Sequence, residues 1–196
     1  MLPCFPRRVS GAANPDAFAP QRSARRRSYL LGVASFLLLC VAALSAAQAE
    51  LLRGQVIAVS DGDTVTLLDG DQIRHKIRLA GIDAPESRQP YGQWARRSLS
   101  EMVEGQWVQV HYDKSDRYGR LVGKIELDGR DINLEQLRRG LAWHYKQYQN
   151  EQSVSDRQIY AQTEAQAQKA QRGLWRDAQP QAPWDYRAAL RQAESN

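Results

Sequence analysis

The most constraining feature of the chain is a series of alternating apolar and polar segments joined by tight-turn signals. Thr64-Val65-Thr66-Leu67-Leu68 alternates, Asp69-Gly70 follows, and then Ile73, His75, Ile77 and Leu79 alternate with Arg74, Lys76 and Arg78. A period of two puts successive side chains on opposite faces of a strand. Asp-Gly tolerates the positive φ angles of a two-residue hairpin. With the short apolar run Gln55 to Val59 and the turn Asp61-Gly62-Asp63, this predicts a three-stranded meander with one face inward.

Two further strands are predicted. Val108, Val110 and Tyr112 alternate, as do Leu121, Gly123, Ile125 and Leu127, the latter ending at Asp128-Gly129. Between the third and fourth strands, Ala95, Leu99, Met102 and Val103 recur at helical spacing, with Gly105 as the stop. Asn133 is placed to cap a short helix carrying Leu134 and Leu137, which Gly140 ends. A last helix is expected from Ser155, with Gln158 completing a capping box, to Gly173. Residues 178–196 read as a polar, Pro-containing tail. Five strands with a helix after the third predict a mainly β (α+β) fold: a five-stranded OB-type barrel with about three helices outside it.

Charge at first suggests a nucleic-acid binder, since the 196 residues carry a formal +5. The excess is local. Residues 1–49 hold six arginines and one acid, which leaves 21 basic and 21 acidic residues over 50–196. Bulk charge therefore says nothing about partners. Residues 1–28 are Arg- and Pro-rich, Tyr29 to Ala47 is almost purely apolar, and Ala47-Gln48-Ala49 fits a small-residue cleavage site. This is the pattern of a secretory signal, with an uncleaved membrane anchor over residues 29–47 as the alternative. The expectation is an exported chain, periplasmic or secreted. Cys4 and Cys40 both fall in this leader, so the exported part relies on its core or a ligand, not on disulfides. The expected organisation is a leader over 1–49, a barrel domain over 50–177 and the tail over 178–196.

Three segments combine residue types that carry chemistry: Asp61-Gly62-Asp63-Thr64, Arg78 through Asp83-Ala84-Pro85-Glu86, and Asp116-Arg117-Tyr118-Gly119-Arg120. Antiparallel strands can bring Asp63 near Asp83, and Glu86 follows within three residues. Carboxylates gathered without compensation repel, so such a cluster usually holds a hard cation, and oxygen ligands alone favour Ca2+ or Mg2+ over Zn2+. Taken singly, Asp61-Gly62-Asp63 also reads as a plain hairpin turn and Asp83 as a cap. Arg78 and Arg120 beside such a cluster would clamp a phosphate, or else form ordinary surface pairs. His75, His111 and His144 stand apart from the constellation and read as structural or surface residues.

Taken in order and at these intervals, DGDT, R-x-x-x-x-D-x-P-E and D-x-Y-G-R resemble the thermonuclease (staphylococcal nuclease-like) family from about Gln55 to Trp175. The resemblance implies a Ca2+-dependent phosphodiesterase acting on DNA and/or RNA, attacking the 5′-O–P bond and leaving 3′-phosphates. It implies that Asp63, Asp83 and the backbone carbonyl of Ala84 ligate Ca2+, with Asp61 supporting them. It makes Glu86 the general base on the attacking water or the group that orients that water, and Arg78 and Arg120 the binders of the scissile phosphate. Arg117 and Tyr118 would touch a terminal phosphate or nucleotide, and Tyr145 or Tyr148 would stack on a base. Ala84 stands where the best-known members carry threonine, and the loop from Glu86 to Trp94 is shorter than theirs. No stable protein partner is implied, membrane contact only if the leader is kept, and a monomer is expected. The competing readings are a catalytically inactive nucleic-acid-binding OB module and a partner-binding barrel of the envelope.

Overall fold

The computed structural model describes residues 50–195. The expected leader, with Cys4 and Cys40, lies outside them. Among the described residues no helix is long and apolar enough to cross a membrane.

The meander forms as the alternation predicts. Strands β1 (Glu50–Asp61), β2 (Thr64–Asp69) and β3 (Arg74–Leu79) pair antiparallel in sequence. A two-residue strand, β4 (Ile82–Asp83), follows the turn at Ala80-Gly81. Helix α1 (Gly92–Val103) then leads to β5 (Trp107–Ser115) and β6 (Leu121–Leu127). The first half of β1 pairs with β5 and the second half with β2. Gly54 sits where the two pairings overlap, and a Cβ there would lie 2.4 Å from the Leu68 carbonyl oxygen, so only glycine lets β1 turn this corner. Register shifts after Val56 and Val59 bend the strand further. Parallel pairing of Ile77–Leu79 with Leu121–Gly123 joins β3 to β6 and closes a five-stranded barrel. Closure leaves no open edge among these strands.

The barrel is filled by inward residues, among them Val56, Val65, Leu67, Ile77, Val110 and Ile125, each fully buried. α1 lays Ala95, Leu99 and Val103 against them. Burying one such leucine contributes about 2 kcal/mol. A short strand β7 (Arg130–Asp131) leads into α2 (Ile132–Arg138), followed by β8 (Trp143–His144), a 3-10 turn at Lys146–Glu151 and α3 (Val154–Lys169).

The caps differ from the sequence expectation. Asp131, not Asn133, caps α2, its side chain accepting the Leu134 N–H at 2.9 Å. Asn133 is instead turned into the barrel wall, where Oδ1 accepts the Ile125 N–H at 3.1 Å and Nδ2 donates to the Ala80 and Gly123 carbonyls at 3.0 and 3.2 Å. Ser153, not Ser155, caps α3 through the Asp156 N–H at 3.0 Å. The sequence predicts about three helices and a polar tail over 178–196. The structure has a fourth helix, α4, at Pro183–Glu194, after a 3-10 turn at Gly173–Arg176.

Candidate active site

One mouth of the barrel opens into a cleft of about 620 Å³. Its floor is built from the turn between β1 and β2. Asp61 Oδ1 accepts the Asp63 N–H at 3.0 Å, an Asx turn that sets the direction of the next residue. Packing demands glycine between them: a Cβ on Gly62 would stand 2.5 Å from the Ala95 Cβ and 2.6 Å from the Ala84 Cβ. Gln136, fully buried on α2, donates to the Gly62 and Ala95 carbonyls at 2.8 and 3.0 Å. These contacts press the turn, α1 and the 82–86 segment together. Asp63 is thereby aimed inward, and the Ala84 N–H donates to its Oδ2 at 2.7 Å.

Asp83 is delivered by β4. That strand is held by β8, with Ile82 opposite His144 and Asp83 opposite Trp143. Glu164 of α3 pins β8 in turn, accepting the His144 N–H at 2.8 Å. Arg78 lies on β3 and Asp83 on β4, with the turn at Ala80-Gly81 between them. The turn folds the chain back so that Arg78 Nη2 donates to Asp83 Oδ1 at 2.9 Å and Nη1 lies 3.2 Å from Asp63 Oδ2. Nη1 also donates to the Leu79 and Ile82 carbonyls, each at 2.9 Å. Nε and one Nη2 hydrogen of Arg78 remain for a ligand.

The electrostatics suit a cation. Burial pushes the Asp63 carboxyl up to about 7; Arg78 opposes this, while the negative charges of Asp61 and Asp83 add to it. A divalent cation would offset the cost of burying this carboxylate beside two others, which Arg78 alone does not. Among the described residues no three His, Cys, Asp or Glu side chains stand as a closed metal cage. A cation would take Asp63 and Asp83, and backbone oxygen and water would complete its shell. Hard oxygens and water in an open site fit Ca2+.

The third segment forms the opposite lip. Asp116 Oδ1 accepts the Tyr118 and Arg120 N–H groups at 2.9 and 3.0 Å, and Oδ2 accepts from Arg120 Nε at 2.7 Å. Burial alone would raise this carboxyl, but the N–H donors and Arg120 outweigh it and hold it below its ordinary value. Arg120 thus reaches the cleft with Nε engaged by Asp116, while its Nη atoms make no hydrogen bond among the described residues. Tyr118 is exposed, with the guanidinium groups of Arg117 and Arg120 4.9 and 5.6 Å from its ring centre. None of His75, His111 or His144 lines the cleft. His75 is hydrogen-bonded to Asp69 and His144 to Gln152, and His111 lies 3.6 Å from Glu126.

Two findings depart from the sequence reading. Tyr145, expected to be free for a base, is stacked on Trp184 of α4, ring centres 5.3 Å apart and 3° from parallel. Tyr148 packs edge-on to Tyr145 at 4.9 Å and stays exposed beside the cleft. Arg187, also on α4, enters the site itself. Its Nη2 donates to Asp83 Oδ2 at 2.8 Å and its Nη1 to Glu86 Oε1 at 2.7 Å, with Asp83 Oδ1 at 3.3 Å. A signal for α4 exists in the sequence. Pro183 stands at the first helical turn, Asp185 near the start and Arg191 near the end, and Trp184, Arg187 and Arg191 share one helical face.

The family described as staphylococcal nuclease homologue matches residues 76–177. A protein of Escherichia coli O157:H7 named "Uncharacterized endonuclease" is 41% identical over 137 residues, 69% of this chain and 85% of that protein. A protein of the same name from Haemophilus influenzae is 38% identical over 151 residues, 77% of this chain and 82% of its own length. "Staphylococcal-like nuclease CAN1" of Arabidopsis thaliana is 40% identical over 114 residues, which is 58% of this chain and 33% of the plant protein.

Proposed function

Because the chain belongs to the family of staphylococcal nuclease homologues, we propose that its cleft is the active site of a nuclease that hydrolyses phosphodiester bonds of DNA and/or RNA with the help of Ca2+. The observation that carries this reading is the meeting of Asp63 and Asp83 at one guanidinium, 3.2 and 2.9 Å from Arg78, in a cleft that Glu86 and Arg120 also line. Residues from three distant segments converge there, which a set of unrelated turns and caps would not do.

The reaction is an in-line attack by water at the 5′-O–P bond, leaving a 3′-phosphate. Asp63, Asp83 and the Ala84 carbonyl would hold the cation, which would supply Lewis-acid charge at the phosphate when bound. Asp61 keeps Asp63 oriented through the Asx turn. Glu86 takes the proton of the attacking water, a role worth roughly 10²–10⁴ in rate. Arg78 and Arg120 donate to the phosphate oxygens where negative charge grows, each donor contributing about 3 kcal/mol to the transition state. Arg117, Tyr118 and Tyr148 border the cleft and contact the flanking nucleotide.

Digestion of DNA and RNA with Ca2+ and with chelator, using the natural protein and Asp63→Ala, tests the reading. Cleavage is expected only in the natural protein with Ca2+. Full activity of the variant would overturn the cation assignment. Export is proposed from the leader alone, and the amino-terminal sequence of the mature protein tests it.

A further inference from the structure

Arg187 lies beyond residues 76–177 that the family matches, yet it forms the densest ionic contact in the cleft. Asp83 is almost fully buried, and both its oxygens are engaged: Oδ1 by Arg78 at 2.9 Å, Oδ2 by Arg187 at 2.8 Å. The other arm of the same guanidinium takes Glu86 at 2.7 Å. One planar fork thus spans a carboxylate assigned to the cation and the one assigned to the water. An arginine is suited to this, since its charge is permanent and its donors diverge at a fixed angle. A divalent cation on Asp83 would have to share or displace that guanidinium, and two positive charges at such separations repel.

We propose that Arg187 is a positioning residue of the cleft: an internal counter-ion that holds Asp83 and Glu86 in the cation-free protein and competes with the divalent cation for them. The inference rests on the functional reading above. It makes α4 part of the active site, not a tail. Cation and substrate arrive together at the cost of the Arg187 contacts, and the freed guanidinium then faces a cleft into which a phosphate enters. Cation affinity is thereby weakened in the free protein and restored when an anion is present to receive Arg187.

The helix does not depend on Arg187 for its place. Trp184 stacks on Tyr145 and packs edge-on to Trp143 at 5.6 Å, Pro183 and Ala182 are buried, and Gln89 Nε2 donates to the Gln181 carbonyl at 2.6 Å. Arg187→Gln is therefore expected to fold with α4 docked.

The experiment is calorimetric titration of Ca2+ into the natural protein, Arg187→Gln, Arg187→Lys and Asp63→Asn, without substrate. Arg187→Gln is expected to bind Ca2+ about tenfold more tightly, with Arg187→Lys in between because lysine keeps the charge but not the fork. Damage to the fold would weaken binding, so a gain is not a structural side effect. Equal or weaker affinity in Arg187→Gln, beside a natural protein whose binding Asp63→Asn abolishes, overturns the counter-ion role and leaves the cation site standing. Absence of Ca2+ binding in every form overturns both.

Discussion

Asn133→Leu isolates the bond network that ties the barrel wall to the site, because leucine keeps asparagine's branching at Cγ and its number of heavy atoms but makes no hydrogen bond. Three bonds disappear, to Ile125 N, Ala80 O and Gly123 O. The Gly123 carbonyl keeps the Ala80 N–H at 2.8 Å and is not orphaned. The Ile125 N–H is deeply buried and is left without a partner, at about 2–3 kcal/mol. The Ala80 carbonyl is half-buried, can recover water, and costs about 1 kcal/mol. The leucine methyl groups return about 1 kcal/mol through burial. A net loss of about 2–3 kcal/mol follows, a large part of the 5–15 kcal/mol typical of a domain. Urea unfolding measures it as a midpoint lowered by roughly 1–2 M at unchanged slope. A loss below about 1 kcal/mol would refute the claim that these backbone groups depend on Asn133. Ala80 lies between Arg78 and Asp83, so cleavage by the folded variant should fall as well.

Other perturbations address the site directly. Arg120→Lys keeps the charge but loses the divergent donors. It should lower kcat by about 10²–10³ while the melting temperature holds, and unaltered turnover would remove Arg120 from the reaction. Gly62→Ala forces a methyl group against Ala95 and Ala84. A destabilisation of about 1–3 kcal/mol by urea titration, together with weakened Ca2+ binding, is expected, because the displaced turn carries Asp63. His144 is buried, and burial lowers its pKa from 6.5 despite the Gln152 bond. The unfolded chain therefore takes up the proton first as pH falls. The contribution is fully present above pH 6.5 and is lost on acidification towards the folded pKa. Asp63, raised to about 7, contributes with the opposite sign over the same range, so the test is the difference: between pH 7 and 5 acidification should cost the natural protein more stability than His144→Gln, and identical pH profiles would show that His144 is not the group responsible.

The barrel strands were legible because strand period and hairpin chemistry are local. Val65, Leu67, Ile77 and Leu79 alternate inward as their spacing predicts. The helix caps were less so: Asp131 and Asn133 are both good capping residues two positions apart, and only the barrel wall, with an unpaired Ile125 N–H to satisfy, assigns Asn133 elsewhere. The direct meeting of Asp63, Arg78 and Asp83 could be anticipated from motif intervals, since each motif sits at a strand end on one mouth of the barrel.

What the linear order of residues determined by itself is the alternation, the turns and the identity of the acidic and basic side chains at those turns. What only the tertiary structure decided is how their charges are shared. Arg187 stands 104 positions from Asp83, on a helix whose polar composition reads as tail, and Trp184 docks it there by stacking on a tyrosine from another part of the chain. The physical reason is that ion pairing depends on distance through space. No local period encodes it: the packing of Trp184, Pro183 and Ala182 against other parts of the chain brings a distant guanidinium onto the carboxylates of the cleft.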